Sequence, residues 1–187
     1  MILRAALDEL SAVGADEGDL AGMAPIAERA GVTAAAMYYH FRSKAELLVA
    51  LLEFVEPRVD QLVDTVADVD DLVQWADALV KQFAEWLRED PSAARFYFIT
   101  AASVAAPEVH AAYDASQNRL ARRLAARIGS LSPTLDDLTC WVRGMSLLAL
   151  LHEMVALSLQ NRSSVSRGFS TVQRVAEGMA SRIVGER

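Results

Sequence analysis

The chain has 187 residues, 53% of them hydrophobic, 23% charged and 7% aromatic, with five prolines, nine glycines and a formal net charge of −7. That length builds one sizeable core, or a small domain docked on a larger one, and the apolar content excludes overall disorder. The lone Cys140 excludes an internal disulfide framework, and the acidic balance requires any surface for nucleic acid to be a local one.

The helical period runs through almost every segment and no strand alternation interrupts it, so the chain reads as all-α with about nine helices. A first helix over 2–13 places Leu3, Ala6, Leu7, Leu10 and Val13 on one face, and Gly14 to Gly18 end it. A second runs from Met23 to Ala30, with Pro25 in its first turn and Gly31 as a left-handed C-cap. Thr33 is the N-cap of a third helix reaching about His40. Ser43-Lys44-Ala45-Glu46 is a capping-box sequence opening a fourth, which carries Leu47, Leu48, Leu51, Leu52, Val55, Val59, Leu62 and Val66. Pro57 inside that run predicts a kink or a break.

Beyond Val69 the helices lengthen. Leu72, Trp75, Leu79, Phe83 and Trp86 form one stripe that stops at Asp90-Pro91. Ser92 to Val104 is nearly apolar all round, and after Ala106-Pro107 a helix carries Val109, Tyr113, Leu120, Leu124 and Ile128 on one face. A long helix over 135–160 follows, then a polar turn over 161–166 and a last stripe through Phe169, Val172, Ala176, Met179 and Ile183. The most apolar run, Gly144 to Leu151, is too short for a bilayer and lies between Arg143 and His152-Glu153, so no membrane segment is expected. Acids in the first nine residues disfavour a secretory leader, and the expected setting is cytoplasmic.

One constellation carries function. Ile26-Ala27-Glu28-Arg29-Ala30-Gly31-Val32-Thr33 has small residues where two helices cross, a glycine for the turn and a valine to plug the joint. That is the grammar of a helix-turn-helix, whose second helix enters the major groove by its N-terminal end. With the continuation Met37-Tyr38-Tyr39-His40-Phe41-Arg42-Ser43-Lys44 and then Glu46-Leu47-Leu48, the stretch from about Leu3 to Leu52 resembles the N-terminal domain of the TetR family of transcriptional regulators. The rest of the chain resembles that family in helix number and order only.

The resemblance implies a three-helix DNA-binding domain over 1–48 and a larger helical ligand-binding and dimerisation domain over 49–187. Thr33 would cap the reading helix and offer its hydroxyl to a phosphate, Ala34, Ala35 and Tyr38 would face base edges, and Tyr39 and His40 would reach the backbone. Lys44, at a helix start, would meet a phosphate oxygen. Two places depart from the family pattern, because Gly22 and Ala24 stand where a hydroxyl residue and an arginine are usual. Up to Leu48 the only cations are Arg4, Arg29, Arg42 and Lys44, against seven acids. Few phosphate contacts and a shallow salt dependence are therefore expected.

For the larger domain the resemblance implies an effector pocket and a homodimer through the helices over 135–160 and 166–184. The first of these is apolar around most of its circumference and needs cover on more than one side. Aromatic and soft side chains at Trp75, Phe83, Trp86, Phe98, Tyr113, Trp141 and Met145, with Gln117 and His152 as polar anchors, are the candidate lining for a flat or greasy small molecule. His110 and Arg143 are further anchor candidates. No Gly-rich phosphate loop or Gly-x-Ser-x-Gly element occurs, and Ala156 stands where a second zinc histidine would follow His152-Glu153. No catalysis, metal or cofactor is expected, and the basic stripe Arg119, Arg122, Arg123 and Arg127 reads as a solvated face. The expected function is a DNA-binding regulator, a repressor released from a double-stranded operator by a largely apolar effector. The alternative is a small-molecule-binding or interaction dimer of the same fold in which DNA binding is weak or lost.

Overall fold

The computed structural model describes residues 1–12, 22–160 and 165–185, and the side chains of all of these except 12, 159–160 and 165–171. The architecture is all-α. In chain order the described helices are α1 (Ile2–Ala12), α2 (Met23–Ala30), α3 (Ala34–His40), α4 (Lys44–Thr65), α5 (Leu72–Glu89), α6 (Pro91–Arg95), α7 (Pro107–Leu131), α8 (Asp137–Gln160) and α9 (Val165–Val184). A π-helical turn, Phe96–Thr100, and a 3-10 turn, Ala101–Ser103, follow α6. Of the expected features, Val13, the loop at 14–18 and most of the polar turn after Gln160 lie outside the described residues, as does the side chain of Phe169. Val165 and Ser166 open α9 rather than closing a turn.

Local chemistry accounts for most helix ends. Gly31 takes φ 67°, and its N–H bonds the Glu28 carbonyl while that of Val32 bonds Ala27, each at 3.0 Å. These are the two bonds of a Schellman close, available without strain because glycine has no Cβ. Asp71 caps α5 through Gln74 N–H at 2.8 Å, and Asp90 caps α6 through Ala93 N–H at 3.1 Å. At α8 the Asp136 carboxylate accepts the Thr139 N–H at 2.8 Å and its hydroxyl at 3.0 Å. The long eighth helix therefore starts at Asp137, two residues later than the apolar pattern suggests.

Pro57 does not break α4, which runs unbroken from Lys44 to Thr65. Proline removes one backbone donor from the ladder, and the exposed ring at Pro57 leaves the bonds before and after it in place.

The packing divides into two units, Met1–Pro57 with Asp90–Ser116, and Arg58–Glu89 with Gln117–Arg187. In the first, α1 packs on α2 and α2 on α3, and Ala6, Leu7 and Leu10 of α1, Ile26, Ala27 and Ala30 of α2, Met37 of α3 and Leu47, Leu48, Leu51 and Leu52 of α4 are all buried. Each such leucine contributes about 1.5–3 kcal/mol by leaving water. Helix α1 also meets α6 through polar links: Arg4 to Asp90, Ser11 Oγ to Ser92 Oγ at 2.9 Å, and the buried Arg95 to the Ser11 carbonyl at 3.1 Å.

In the second unit α9 packs on α5 and α8. Ser181 Oγ donates to Asp77 at 2.6 Å, and Arg143 Nη1 donates to the Val184 carbonyl at 2.5 Å, closing the end of α9. The basic stripe is only partly a solvated face. Arg123 bridges Asp60 and Asp64, and Arg127 reaches the carbonyls of Ala67 and Val69 at 2.6 and 2.9 Å, so both fasten α7 to the end of α4. A Cβ built on Gly144 would lie 3.0 Å from Ala125 N and 3.1 Å from the Ala121 carbonyl, which marks the close crossing of α7 and α8.

One described stretch, Asp137–Ser158, is long and apolar enough to cross a membrane by length and composition. The shortness of the run at Gly144 to Leu151 is thus no argument by itself. The packing of this helix on α5 and α9 shows what its buried face does.

Candidate functional site

Helix α3 is short, and a side chain caps its N-terminus. Thr33 Oγ1 accepts the Ala36 N–H at 3.1 Å, satisfying one of the orphan donors at the N-terminus, and three alanines follow with the highest intrinsic helix propensity. Phe41 turns extended at φ −134° while its N–H still bonds Met37 at 2.9 Å. Ser43 Oγ then accepts the Glu46 N–H at 3.1 Å, and the Glu46 carboxylate takes the Arg42 N–H at 2.7 Å, a close variant of the capping box.

Within α3 only Met37 is buried, at 0% exposure. That one anchor turns the rest outward. Thr33, Ala34, Ala35, Tyr38, Tyr39 and His40 are all exposed, with Tyr38 at 55% and Tyr39 at 86%. The Tyr39 ring meets the His40 ring edge-on, centroids 5.6 Å apart. Lys44 is half-buried at the first residue of α4, and Arg42 is exposed beside it. The seven residues expected at the DNA surface thus lie on one stretch from the α3 cap to the α4 start.

The charges around this surface are largely spent internally. The first unit has five Lys or Arg residues: Arg4, Arg29, Arg42, Lys44 and Arg95. Arg4 pairs with Asp90 and with Asp8 at 3.1 Å, Arg29 pairs with Glu9, and Arg95 is buried on the Ser11 carbonyl. The hydrogen bond to Asp90 raises the Arg4 guanidinium above its ordinary value, against a smaller opposing effect of burial. Arg42 makes no ion pair among the described residues. Sequence reasoning counted it as a charge and did not place it at the surface; its signal was its position two residues before Lys44. In the same unit, Glu46, Glu53 and Glu108 line a groove of about 470 Å³ with His40 and Phe41.

Residues 2–51 match the family model described as bacterial regulatory proteins, tetR family. The N-terminal domain is a TetR-family domain. Among curated proteins none matches the chain. Solved structures similar to it include the transcriptional regulator FadR from Bacillus subtilis in complex with stearoyl-CoA, at TM-score 0.76 and 14% identity over 96% of each chain. The TetR-family regulator PfmR from Thermus thermophilus matches at TM-score 0.72 and 18% identity, over 100% of this chain and 99% of that one. AibR, in complex with isovaleryl coenzyme A and operator DNA, matches at 0.73 and 17%, over 96% and 97%. The likeness therefore extends the TetR-type fold over the whole chain.

Beyond the TetR-type head, the candidate ligand residues fall into two groups. Phe98 and Tyr113 belong to the first unit. Phe98 is buried in the π-helical turn against Tyr97, centroids 5.0 Å apart. Burial, and then the charge of Asp114, raise the phenol of the half-buried Tyr113. Beside them runs a buried chain that the sequence did not signal: Tyr97 O–H meets Ser116 Oγ at 2.6 Å, and Ser116 donates to Glu56 at 3.1 Å.

Trp75, Phe83, Trp86, Gln117, Trp141, Met145 and His152 belong to the second unit. Trp75, Phe83 and Trp86 are buried along α5, the last two edge-to-face at 5.7 Å. Gln117 Oε1 and His152 Nε2 lie 3.1 Å apart. Three donors in this unit, Trp75 Nε1, Gln117 Nε2 and Arg127 Nε, are buried without a hydrogen-bond partner among the described residues. Trp141 is half-buried, and Met145 stands 41% exposed on the outer side of α8. His110 is exposed at the start of α7.

A groove of about 450 Å³ lies between α8 and α9, floored by Leu150, Met154, Leu157, Val172 and Ala176. None of the nine candidate ligand residues lines it. Around it Leu138, Val142 and Met145 on α8 and Val175 and Met179 on α9 are exposed, at 71, 54, 41, 56 and 47%. Together they leave an exposed apolar stripe on two neighbouring helices.

Proposed function

We propose that the chain is a cytoplasmic, ligand-responsive transcriptional repressor that binds a double-stranded operator as a homodimer. The observation that carries this reading is the exposure pattern of the head: a single buried anchor, Met37, with every other expected contact from Thr33 to His40 facing outward beside Arg42 and Lys44. In this reading 1–48 is the reading head and 49–187 the sensing and pairing part. Thr33, Tyr39, His40 and Lys44 serve the backbone, and Ala34, Ala35 and Tyr38 the base edges.

The exposed stripe on α8 and α9 supports pairing of two copies into a four-helix interface, which would set two heads on one operator. The unpartnered Trp75 and Gln117 donors among buried aromatics support an effector with an apolar body and a hydrogen-bond acceptor. Acyl-CoA thioesters, which two of the similar structures carry, fit that description and are the first compounds to test. Effector binding would release DNA by favouring one spacing of the heads over another.

Selection of bound sequences from random duplexes, followed by anisotropy titration at low and moderate salt, tests the reading. A preferred site whose affinity falls with Lys44→Ala and Tyr38→Ala is the expected result, and no preference at any salt sinks it. The second reading, a dimer of this fold that no longer reads DNA, draws on the pairing of Arg4 and Arg29 with acids and on the three glutamates that line the groove with His40 and Phe41. It predicts that no duplex raises the melting temperature of the protein.

A further inference from the structure

We infer that the head reads the 5-methyl groups of thymine, through the exposed side chains of Ala34 and Ala35. The inference rests on the DNA-reading role proposed above and concerns what that surface selects.

The argument begins with what α3 lacks. From Thr33 to Tyr39 there is no Arg, Lys, Asn or Gln, so the bidentate contacts that identify guanine or adenine cannot form there. The Thr33 hydroxyl is held as the N-cap on Ala36 N–H, which fixes its direction. Ala34 and Ala35 are exposed and bring only methyl groups to the groove, while Ala36 is half-buried and Met37 wholly buried. One turn on from Ala34, Tyr38 adds a single phenol, the one polar base-edge group on that face of the helix.

In the major groove the one apolar feature of any base is the thymine methyl. A methyl group set against guanine O6 and N7, cytosine N4 or adenine N6 and N7 strips water from a polar edge and returns no hydrogen bond, which is unfavourable. Set against thymine, the same methyl buries apolar surface on both sides. Attraction to thymine and rejection of the other bases therefore act in the same direction, the pattern specificity requires. The geometry of the head thus points to operator half-sites with thymines under the first turn of α3.

The test replaces thymine by deoxyuridine in the selected duplex, which removes the methyl and leaves every hydrogen-bonding edge unchanged. Each methyl lost under α3 is expected to weaken binding about fourfold, and one in each half-site about fifteenfold. Deoxyuridine outside the α3 contacts is expected to change nothing. Ala35→Gly should remove the sensitivity at one step, so protein and DNA changes are non-additive. The deoxyuridine measurement on the unaltered protein does not depend on how that variant folds. A selected site that is indifferent to deoxyuridine, or has G·C pairs under α3, overturns the inference and leaves the DNA-reading role standing. Failure to select any site overturns the role itself.

Discussion

The charge accounting of the head makes a quantitative prediction about salt. Arg4 and Arg29 are engaged by Asp8, Asp90 and Glu9, and Arg95 is buried, whereas Arg42 and Lys44 stand by position at the end of the stretch expected to face DNA. Two heads bring about four cationic phosphate contacts, and each releases about 0.9 counterion from B-form DNA. The logarithm of the binding constant should then fall against the logarithm of salt with a slope of about −3.6. Between about 50 and 200 mM monovalent salt that is a loss of about 150-fold, whereas six to ten contacts would cost about 10³ to 10⁵. Fluorescence anisotropy of a labelled selected duplex across that range measures the slope directly. Lys44→Ala removes one contact from each head and should flatten it by about 1.8. A slope of about −6 or steeper would refute the reasoning, because Arg4 and Arg29 would then have left their acids for the phosphates.

Other expectations follow from single observations. Gly144→Val forces side-chain atoms into the backbone of Ala121 and Ala125, and should destabilise the protein by about 2 kcal/mol or more despite valine's better helix propensity; an unchanged melting temperature would count against the close crossing. Val142→Glu together with Met179→Glu places carboxylates on the exposed apolar stripe, and should convert a dimer to a monomer in sedimentation equilibrium; a persistent dimer would move the interface elsewhere. The Asp136 carboxylate lies below its ordinary range because it accepts from the Thr139 N–H and hydroxyl. A depressed pKa contributes stability above the unfolded-state value, and that contribution is lost as pH falls through the folded-state value. Asp136→Ala should therefore lower the melting temperature most near neutral pH, with the gap narrowing in acid; a gap constant across that range would show that the cap does not act through its charge.

What could be read from residues in order was local. Thr33, Gly31, Ser43 and Asp90 end or begin helices through bonds that span three to five residues, so the bounds of α2 and α3 and the start of α4 were legible from residue order alone. The outward set on α3 was legible too, since a seven-residue helix with one apolar anchor has only one way to face. Pro57 was misleading because a missing donor weakens a ladder without ending it. The aromatic set was grouped by residue type and period, which report that a face is buried and say nothing of what buries it. The tertiary packing places Phe98 and Tyr113 in one unit and Trp75, Phe83 and Trp86 in the other, and leaves Met145 on the outer side of α8.

By itself, then, the amino-acid order determined most of the helices, their caps and the exposed stretch from Thr33 to His40, because each depends on contacts within a turn or two of chain. Only the tertiary structure decided where the charges went. Arg4 meets an aspartate 86 residues away, and Arg123 and Arg127 fasten α7 to the end of α4 about sixty residues back. A cation's worth to DNA depends on whether an acid already holds it, and that is set by which helix packs beside it.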